Sequence, residues 1–264
     1  PSIDPNIISI GLLSIKWYSL AYIFGILFGW FYASKIIQKY DLGITKKNLE
    51  NFVTWSVFGI IIGGRLGYVL FYDPIKYITH PIDILKTYEG GMSFHGGTFG
   101  LIIAVILFCR KYKIASLKMI DLMAVIAPFG LFLGRIGNFI NGELYGRASD
   151  VPWAIVFLNT DINIPALPRH PSQLYEALGN GVILFLVMAY SVFGQETLKY
   201  KGRTSAIFLI YYSIFRIFVE NFRQPDFHIG LIWNYITMGQ ILSLPMLIIG
   251  IYLLDRSKCQ STQI

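Results

Sequence analysis

The chain has 264 residues, of which 55% are hydrophobic and only 14% are charged. About a quarter of the residues in a soluble chain carry charge, so this composition excludes an ordinary soluble domain. The 20 Phe, 17 Tyr and 5 Trp also exclude a disordered or collagenous chain. The composition therefore predicts an integral membrane protein.

Basic residues outnumber acidic ones by 22 to 15, which gives a formal net charge of +7. No basic cluster lies among aromatic residues on a polar background, and this argues against nucleic acid as a partner. The basic residues of membrane proteins collect in cytoplasmic loops, where they face anionic lipid. We therefore expect this charge to interact with membrane lipids.

Seven apolar stretches are each about long enough to cross a hydrocarbon core of ~30 Å as a helix. They are residues 18–37, 52–72, 92–109, 119–138, 174–193, 204–222 and 236–254. No linker or repeat of fixed period divides the chain. The predicted fold is an all-α integral membrane protein, with seven transmembrane helices in a single polytopic domain over residues 1–264.

The distribution of basic residues predicts how these spans are oriented. The loops after spans 1, 3 and 5 and the C-terminal tail hold 13 of the 22 basic residues, and the opposite side holds six. The positive-inside bias therefore places the N-terminus outside and the C-terminus in the cytoplasm. The long loops 73–91 and 139–173 then face outward, and we expect an outward-facing head region near 139–173.

Three arginines, Arg65, Arg135 and Arg216, fall inside the apolar stretches. An arginine at the centre of a membrane helix costs at least ~2.5–3.5 kcal/mol, so each needs a partner, an aqueous cavity or a lipid phosphate. Arg65 follows Gly63 and Gly64, which would let another helix or a headgroup approach the backbone. The alternative for Arg65 is a packing role, paired with a carboxylate or with carbonyls.

Arg135 lies in a polar and glycine-rich stretch near the outer end of span 4. Asn138 is three residues further on and shares its helix face. The pair Asn141-Gly142 predicts a turn that ends the helix, which would return Glu143 toward the same end. The alternative is that Arg135 only extends to the membrane interface.

Span 6 carries a polar face made by Tyr212, Arg216, Glu220 and Arg223, at spacings of four, four and three. Residues at these spacings share one side of a helix, so the face is expected to look into a cavity. The alternative is a purely structural ion pair, in which Arg216 and Glu220 neutralise each other and bind no ligand.

Span 5 has a similar polar face made by Gln173, Glu176 and Asn180, just after His170-Pro171-Ser172. Proline suits the first turn of a helix, so span 5 is expected to begin there. Glu176 is predicted to bridge the arginines of spans 4 and 6. A purely structural role for Glu176 is the alternative.

Two further candidates lie elsewhere in the chain. His95 has glycines on both sides within residues 90–97, which would let a substrate approach the imidazole closely. Tyr18 lies at the start of span 1. A satisfied polar group is the alternative for His95, and an aromatic belt at the membrane interface is the alternative for Tyr18.

The chain lacks the motifs of metalloproteases, P-loop proteins and serine hydrolases, and its four histidines are far apart. We therefore expect no metal site and no cofactor. Guanidinium groups bind phosphate oxygens through two parallel hydrogen bonds and keep their charge in a low dielectric. The intramembrane arginines thus favour a pocket for a phosphate-bearing lipid headgroup.

From Tyr18 to Gln240 the sequence resembles the bacterial prolipoprotein diacylglyceryl transferases. Residues 134–146 are similar to the signature stretch of that family, whereas residues 147–168 match no part of it that can be recognised. The other matching motifs are GMSFHGG at 91–97, HPSQLYE at 170–176, Phe215-Arg216 through Glu220, and FRQPD at 222–226.

The resemblance implies transfer of diacylglyceryl from phosphatidylglycerol to the thiol of the lipobox cysteine in a lipoprotein precursor. The products are a thioether and glycerol phosphate, and the location is the bacterial cytoplasmic (inner) membrane. It implies a headgroup contact for Arg135 and a second essential cation in Arg216. The residues that it implies with them at the site are Asn138, Glu143, Gly146, Glu176, Tyr18 and Arg223. His95 is expected to act as the base, because few thiols are ionised at neutral pH.

Two alternative functions remain open at this point. Arginine and glutamate inside spans also mark translocation pathways, as in a small-anion transporter or channel. The absence of a repeat of two halves and the outward clustering of polar residues count against that function. The other alternative is a transferase that uses phosphatidylglycerol with a different acceptor.

Overall fold

The computed structural model describes residues 3–4, 6–10, 13–72, 74–87, 90–158, 166–225, 230, 232 and 235–261. Most of this part of the chain is helical. The longer helices are α1 (Trp17–Lys39), α2 (Lys46–Phe71), α4 (Phe94–Tyr112), α5 (Ser116–Asn141), α7 (Leu184–Phe193), α8 (Arg203–Val219) and α9 (Met238–Ser261). Short helices are α3 (Pro74–Thr79) and α6 (Ser172–Glu176), with 3₁₀ turns at Pro81–Leu85 and Thr197–Lys199. A π-helix (Ala177–Ile183) joins α6 to α7.

Five helical segments in the described part of the chain are long and apolar enough to cross a membrane. They are Trp17–Lys39, Lys46–Phe71, Ser116–Asn141, Ser172–Phe193 and Met238–Lys258. The predicted spans at 92–109 and 204–222 correspond to α4 and α8, which have 19 and 17 residues and are not among the five. The chain is thus a multi-pass membrane protein, and seven crossings remain a prediction.

Two small antiparallel sheets add to the predicted all-α fold. Strands β1 (Asn6–Ile10) and β2 (Leu13–Lys16) pair immediately before α1. Strands β3 (Ile155–Val156) and β4 (Pro168–Arg169) pair across the segment 147–168 that matched no family motif, and β4 extends one residue beyond it. Residues 159–165 of that segment, and Asp226 in the predicted motif at 222–226, lie outside the described residues.

The contacts divide the chain into two compact units, residues 34–119 and residues 1–33 with 120–264. In the first unit, α2 and α4 pack backbone against backbone at glycines. A Cβ on Gly67 would lie 2.7 Å from the Gly96 Cα, closer than real Cβ contacts. Ser93 caps α4, because its Oγ accepts a hydrogen bond from the Gly96 N–H at 3.2 Å. These contacts fix the start of α4, where His95 lies.

In the second unit, a buried carboxylate determines where α8 begins. Asp121 of α5 is 1% exposed and accepts hydrogen bonds from the Gly202 N–H (2.7 Å), the Ser205 N–H (2.8 Å) and the Ser205 hydroxyl (2.6 Å). The first N–H groups of a helix have no partners within the helix, so this contact satisfies them. It holds the start of α8 against α5.

The π-helix lies between two aromatic side chains of the same unit. A Cβ on Gly181 would lie 2.7 Å from the Cβ of Phe132 on α5, and a Cβ on Gly179 would overlap the ring of Phe215 on α8. Glycine at both positions therefore lets the segment fit between these rings. Such π-segments are rare and are often found at functional sites.

Candidate functional site

Glu176, at the end of α6, is the centre of a cluster of charged side chains in the second unit. Its side chain is 1% exposed. One carboxylate oxygen lies 2.7 Å from the Arg135 Nη2, and the other lies 2.9 Å from the Arg216 Nη1 and 3.0 Å from the Arg223 Nη1. The predicted bridge between the arginines of α5 and α8 is therefore present, and Arg223 joins it.

Glu220, directly after α8, is the second carboxylate of the cluster. Its Oε1 lies 2.5 Å from the Arg216 Nη2 and 3.8 Å from the Arg223 Nε. The Arg216–Glu220 pair considered as an alternative thus exists, but it leaves the other Arg216 nitrogen for Glu176. Three guanidinium groups face two carboxylates here, so these five groups carry a net charge of +1.

A chain of polar groups leads from this cluster to the surface. Arg135 Nη1 donates to Asn138 Oδ1 at 3.2 Å, and Asn138 Nδ2 donates to Glu143 Oε2 at 3.2 Å. Helix α5 ends at Asn141, and Gly142 follows with a φ of +70°, which favours glycine. The predicted turn is therefore confirmed, and it brings the exposed Glu143 back toward Asn138.

Gly146 holds together the backbone on which Arg223 lies. Its N–H donates to the His170 carbonyl at 2.8 Å, and it forms a β-bridge with Arg223. A Cβ at this position would lie 2.5 Å from the Phe222 carbonyl oxygen and 2.6 Å from the His170 Cβ. Any other residue would therefore push apart the segments that position Arg223.

Tyr18 belongs to the same compact unit as the cluster. It is half-buried in the first turn of α1, and a Cβ on Gly137 would lie 2.6 Å from its ring. Gly137 precedes Asn138 on α5, so the Tyr18 ring packs beside the C-terminal end of that helix. The hydroxyl groups of Tyr18 and Tyr22 are 3.4 Å apart.

Arg65 and His95 both lie in the other unit. The Arg65 guanidinium is buried and donates hydrogen bonds only 2.6–3.2 Å long to the carbonyls of Asp83, Ile84, Lys86, Gly90 and Gly91. This supports the packing alternative for Arg65. His95 is exposed and lines an apolar cavity of about 960 Å³ formed by α2 and α4.

The loop that Arg65 holds contains one ion pair near its surface. The Lys86 ammonium lies 2.6 Å from the Asp83 carboxylate, and this hydrogen bond lowers the pKa of Asp83. Among the residues that the structure describes, no group of three His, Cys, Asp or Glu side chains is placed to hold a metal ion.

Two more buried polar residues support the cluster, of which the sequence indicated only Gln173, through its place on the polar face of span 5. Gln173 is fully buried, and its Nε2 donates to the Glu143 carbonyl at 2.6 Å. Arg169 is buried, and its guanidinium lies 4.9 Å from the centre of the Tyr145 ring. Gln173 shares a helix face with Glu176, which is a signal in the sequence, whereas the position of Arg169 depends on pairing between distant segments.

The cluster is suited to binding an anion. Several donor-bearing side chains converge on it from α5, α8 and the segment after α8, and the two carboxylates keep the mutually repelling guanidinium groups in place. Arginine is the residue that best binds planar or tetrahedral oxyanions through two hydrogen bonds. Because α5 and α6–α7 are candidate membrane spans, the anion would be bound at or within the membrane.

Comparison with known proteins identifies relatives over nearly the whole chain. A model of the prolipoprotein diacylglyceryl transferase family matches residues 5–255. A phosphatidylglycerol–prolipoprotein diacylglyceryl transferase of Rickettsia bellii is 56% identical over 261 residues, which are 99% of this chain and 98% of the relative. A protein of the same name from Rickettsia felis is 59% identical over 98% of this chain and 98% of the relative. Another from Rickettsia typhi is 59% identical over 97% of each chain.

Proposed function

The chain belongs to the prolipoprotein diacylglyceryl transferase family, and from this we propose how its residues carry out the reaction. The enzyme transfers the diacylglyceryl group of phosphatidylglycerol to prolipoprotein. The acceptor in our proposal is the thiol of the lipobox cysteine.

The proposed reaction is a substitution at a glycerol carbon. The sulfur attacks the carbon that carries the phosphate, a carbon–sulfur bond forms, and the carbon–oxygen bond to phosphate breaks. The electron pair stays on the phosphate oxygen, so the phosphate changes from a singly charged diester to a monoester with one more negative charge. The thiol proton leaves to a base. The main task of the enzyme is therefore to stabilise the charge that develops on the leaving group.

The convergence of three arginines on Glu176 is the observation that carries the proposal. Arg135 and Arg216 would bind the phosphate from two helices, with Arg223 beside them. Glu176 and Glu220 keep the guanidinium groups oriented before the lipid arrives. Preorganised donors of this kind need no rearrangement during the reaction, which makes them effective in catalysis.

The polar chain at the outer end of α5 would shape the entrance to the headgroup site. Asn138 links Arg135 to Glu143, and Gly146 allows the close backbone contact on which the position of Arg223 depends. Tyr18 packs against this end of α5 through Gly137. In this proposal these residues position the headgroup and the arginines, and take no part in bond breaking.

His95 is the proposed base for the acceptor thiol. A thiol with a pKa near 8.5 is only a few per cent ionised at neutral pH, so removal of its proton would speed the attack. His95 is exposed at the start of α4, so a substrate can reach its side chain.

The proposed topology has seven spans in the cytoplasmic (inner) membrane of a bacterium. Helices α4 and α8 would complete the five candidate spans. The bias in basic residues supports an N-terminus outside and a C-terminus in the cytoplasm. The Arg cluster and the segment 139–173 would then face outward, as a head region on the side where exported lipoprotein precursors are found.

Labelled phosphatidylglycerol and a lipobox peptide test the proposal with purified protein. We expect a thioether between the peptide cysteine and the labelled diacylglyceryl group, with release of glycerol phosphate. Lipid consumption without peptide modification would indicate a different acceptor. No covalent product would leave only the transporter or channel alternative, which the names of the relatives do not favour.

A further inference from the structure

Asn180 has a buried side-chain amide that makes no hydrogen bond within the described part of the chain. It is 2% exposed, and neither its amide nitrogen nor its amide oxygen has a hydrogen-bond partner among the described residues. A buried amide without partners is destabilising, and each native example calls for an explanation. Asn180 lies in the π-helix that begins directly after Glu176.

The neighbours of Asn180 show which way it faces. Leu178 is 57% exposed, so that side of the helix lies at the surface of the protein. Gly179 packs against Phe215 of α8 and Gly181 packs against Phe132 of α5, on roughly opposite sides. Asn180 therefore points away from Leu178, into the space between α5 and α8.

Glu176 faces the same space as Asn180. It lies four residues earlier, about one helical turn, and contacts Arg135 of α5 and Arg216 of α8. At ~1.5 Å or slightly less per residue, Asn180 lies roughly 5–6 Å further along the helix axis. In the proposed orientation this direction leads from the outer surface toward the centre of the membrane.

The order of groups in a diacyl phospholipid matches this arrangement. The phosphate is followed by the glycerol carbons, then by the ester carbonyls a few ångströms deeper, and then by the acyl chains. A phosphate held at the arginines would place the ester carbonyls near the depth of Asn180. An amide N–H₂ is a suitable hydrogen-bond donor to an ester carbonyl. A binding site with a buried donor of this kind discriminates against lipid analogues that lack the carbonyl.

We propose that the Asn180 amide donates a hydrogen bond to an ester carbonyl of the diacylglyceryl group. This contact makes the enzyme selective for ester-linked lipids and holds the glycerol carbon in line for attack by the thiol. The inference rests on the proposed function, since it takes the phosphate to be bound at Arg135 and Arg216.

The test compares two lipids in each preparation of the enzyme. One is phosphatidylglycerol with ester-linked chains, and the other is the same lipid with ether-linked chains of equal length, which lacks the carbonyls. The readout is the ratio of kcat/KM for ester over ether lipid, with a lipobox peptide as acceptor. This ratio is independent of the fraction of folded enzyme, so a variant of low stability still reports on the contact.

Wild-type enzyme is expected to prefer the ester lipid. In Asn180→Leu, which is similar in size, and in Asn180→Ala, the preference should fall by about tenfold relative to wild type, because one hydrogen bond is lost. The rate with the ether lipid should change little. Ser191→Ala, a buried polar substitution further along the same helical segment, is the matched control and should keep the wild-type ratio.

Three outcomes overturn the inference, and they can be told apart. Equal rates of wild type with both lipids, or variants that slow both lipids by the same factor, overturn the role of Asn180 and leave the transferase function intact. A wild-type enzyme that modifies no peptide with either lipid overturns the proposed function, and the role of Asn180 with it. Arg135→Lys should slow both lipids alike, since the phosphate is common to them.

Discussion

Replacing Arg216 with Lys keeps a positive charge but removes the planar pair of donors. In the structure one guanidinium nitrogen lies 2.9 Å from Glu176 and the other lies 2.5 Å from Glu220. Lys has a point charge on a flexible stem in place of the planar fork that contacts both carboxylates, so it does not reproduce this arrangement around a bound phosphate. We therefore expect Arg216→Lys to lose most of its activity and Arg216→Gln to lose at least as much.

The expected magnitudes follow from these contacts. Loss of one oxyanion-type contact lowers turnover by ~10²–10³, or ~2.7–4 kcal/mol of transition-state stabilisation. Arg216→Gln also leaves Glu220 without its closest partner, since Arg223 lies 3.8 Å away. Breaking a buried ion pair costs about 3–5 kcal/mol of stability, so the folded yield should fall as well.

The assay separates these two effects. It measures thioether formation per folded molecule together with the melting temperature in detergent. Arg256→Lys, at an exposed position on α9, is the matched control and should change neither quantity. Wild-type turnover per folded molecule in both Arg216 variants would refute the phosphate clamp. Normal specific activity with a low yield of folded protein would instead assign Arg216 to a packing role.

Three further predictions concern topology, the base and the start of α8. A single cysteine at Asp150 should react with an impermeant thiol reagent from outside the cell, and labelling only from the cytoplasm would contradict the orientation. His95→Gln should lower activity more at pH 7 than at pH ~9, where the acceptor thiol ionises unaided, and a loss equal at all pH values would indicate a positioning role. Asp121→Ala should lower stability by about 3–5 kcal/mol, because three buried donors lose their acceptor, while the exposed Asp255→Ala should stay within about 0.5 kcal/mol in the same thermal measurements. Equal melting temperatures for these two variants would contradict that reasoning.

The parts of the site that the sequence predicted are those set by local geometry. Helical spacing predicted that Arg135 lies beside Asn138. It also predicted that Glu176 lies on the helix face that meets the arginines. The pair Asn141-Gly142 predicted the end of α5. Each of these contacts depends on a few neighbouring residues or on the high cost of an unpaired charge in a membrane.

The parts that the sequence did not predict depend on contacts between distant segments. Asp121 is a single acidic residue in an apolar stretch, and only the position of α8 shows that it caps that helix. The bridge between Gly146 and Arg223 joins residues far apart in sequence. The π-helix contains Gly179 and Gly181, which fit between aromatic rings of α8 and α5. The spacing of apolar residues along the sequence does not predict such a fit.

The glycine contact between α2 and α4 limits how this part of the enzyme can move. Helices that touch through their backbones have no intervening side chains that could change rotamer to let them slide or rotate past each other. The hydrogen bond from the Ser93 N–H to the Gly64 carbonyl, at 2.9 Å, adds a further constraint. We therefore expect α2 and α4 to move together as one rigid pair, and His95 and the loop bound by Arg65 to move with them.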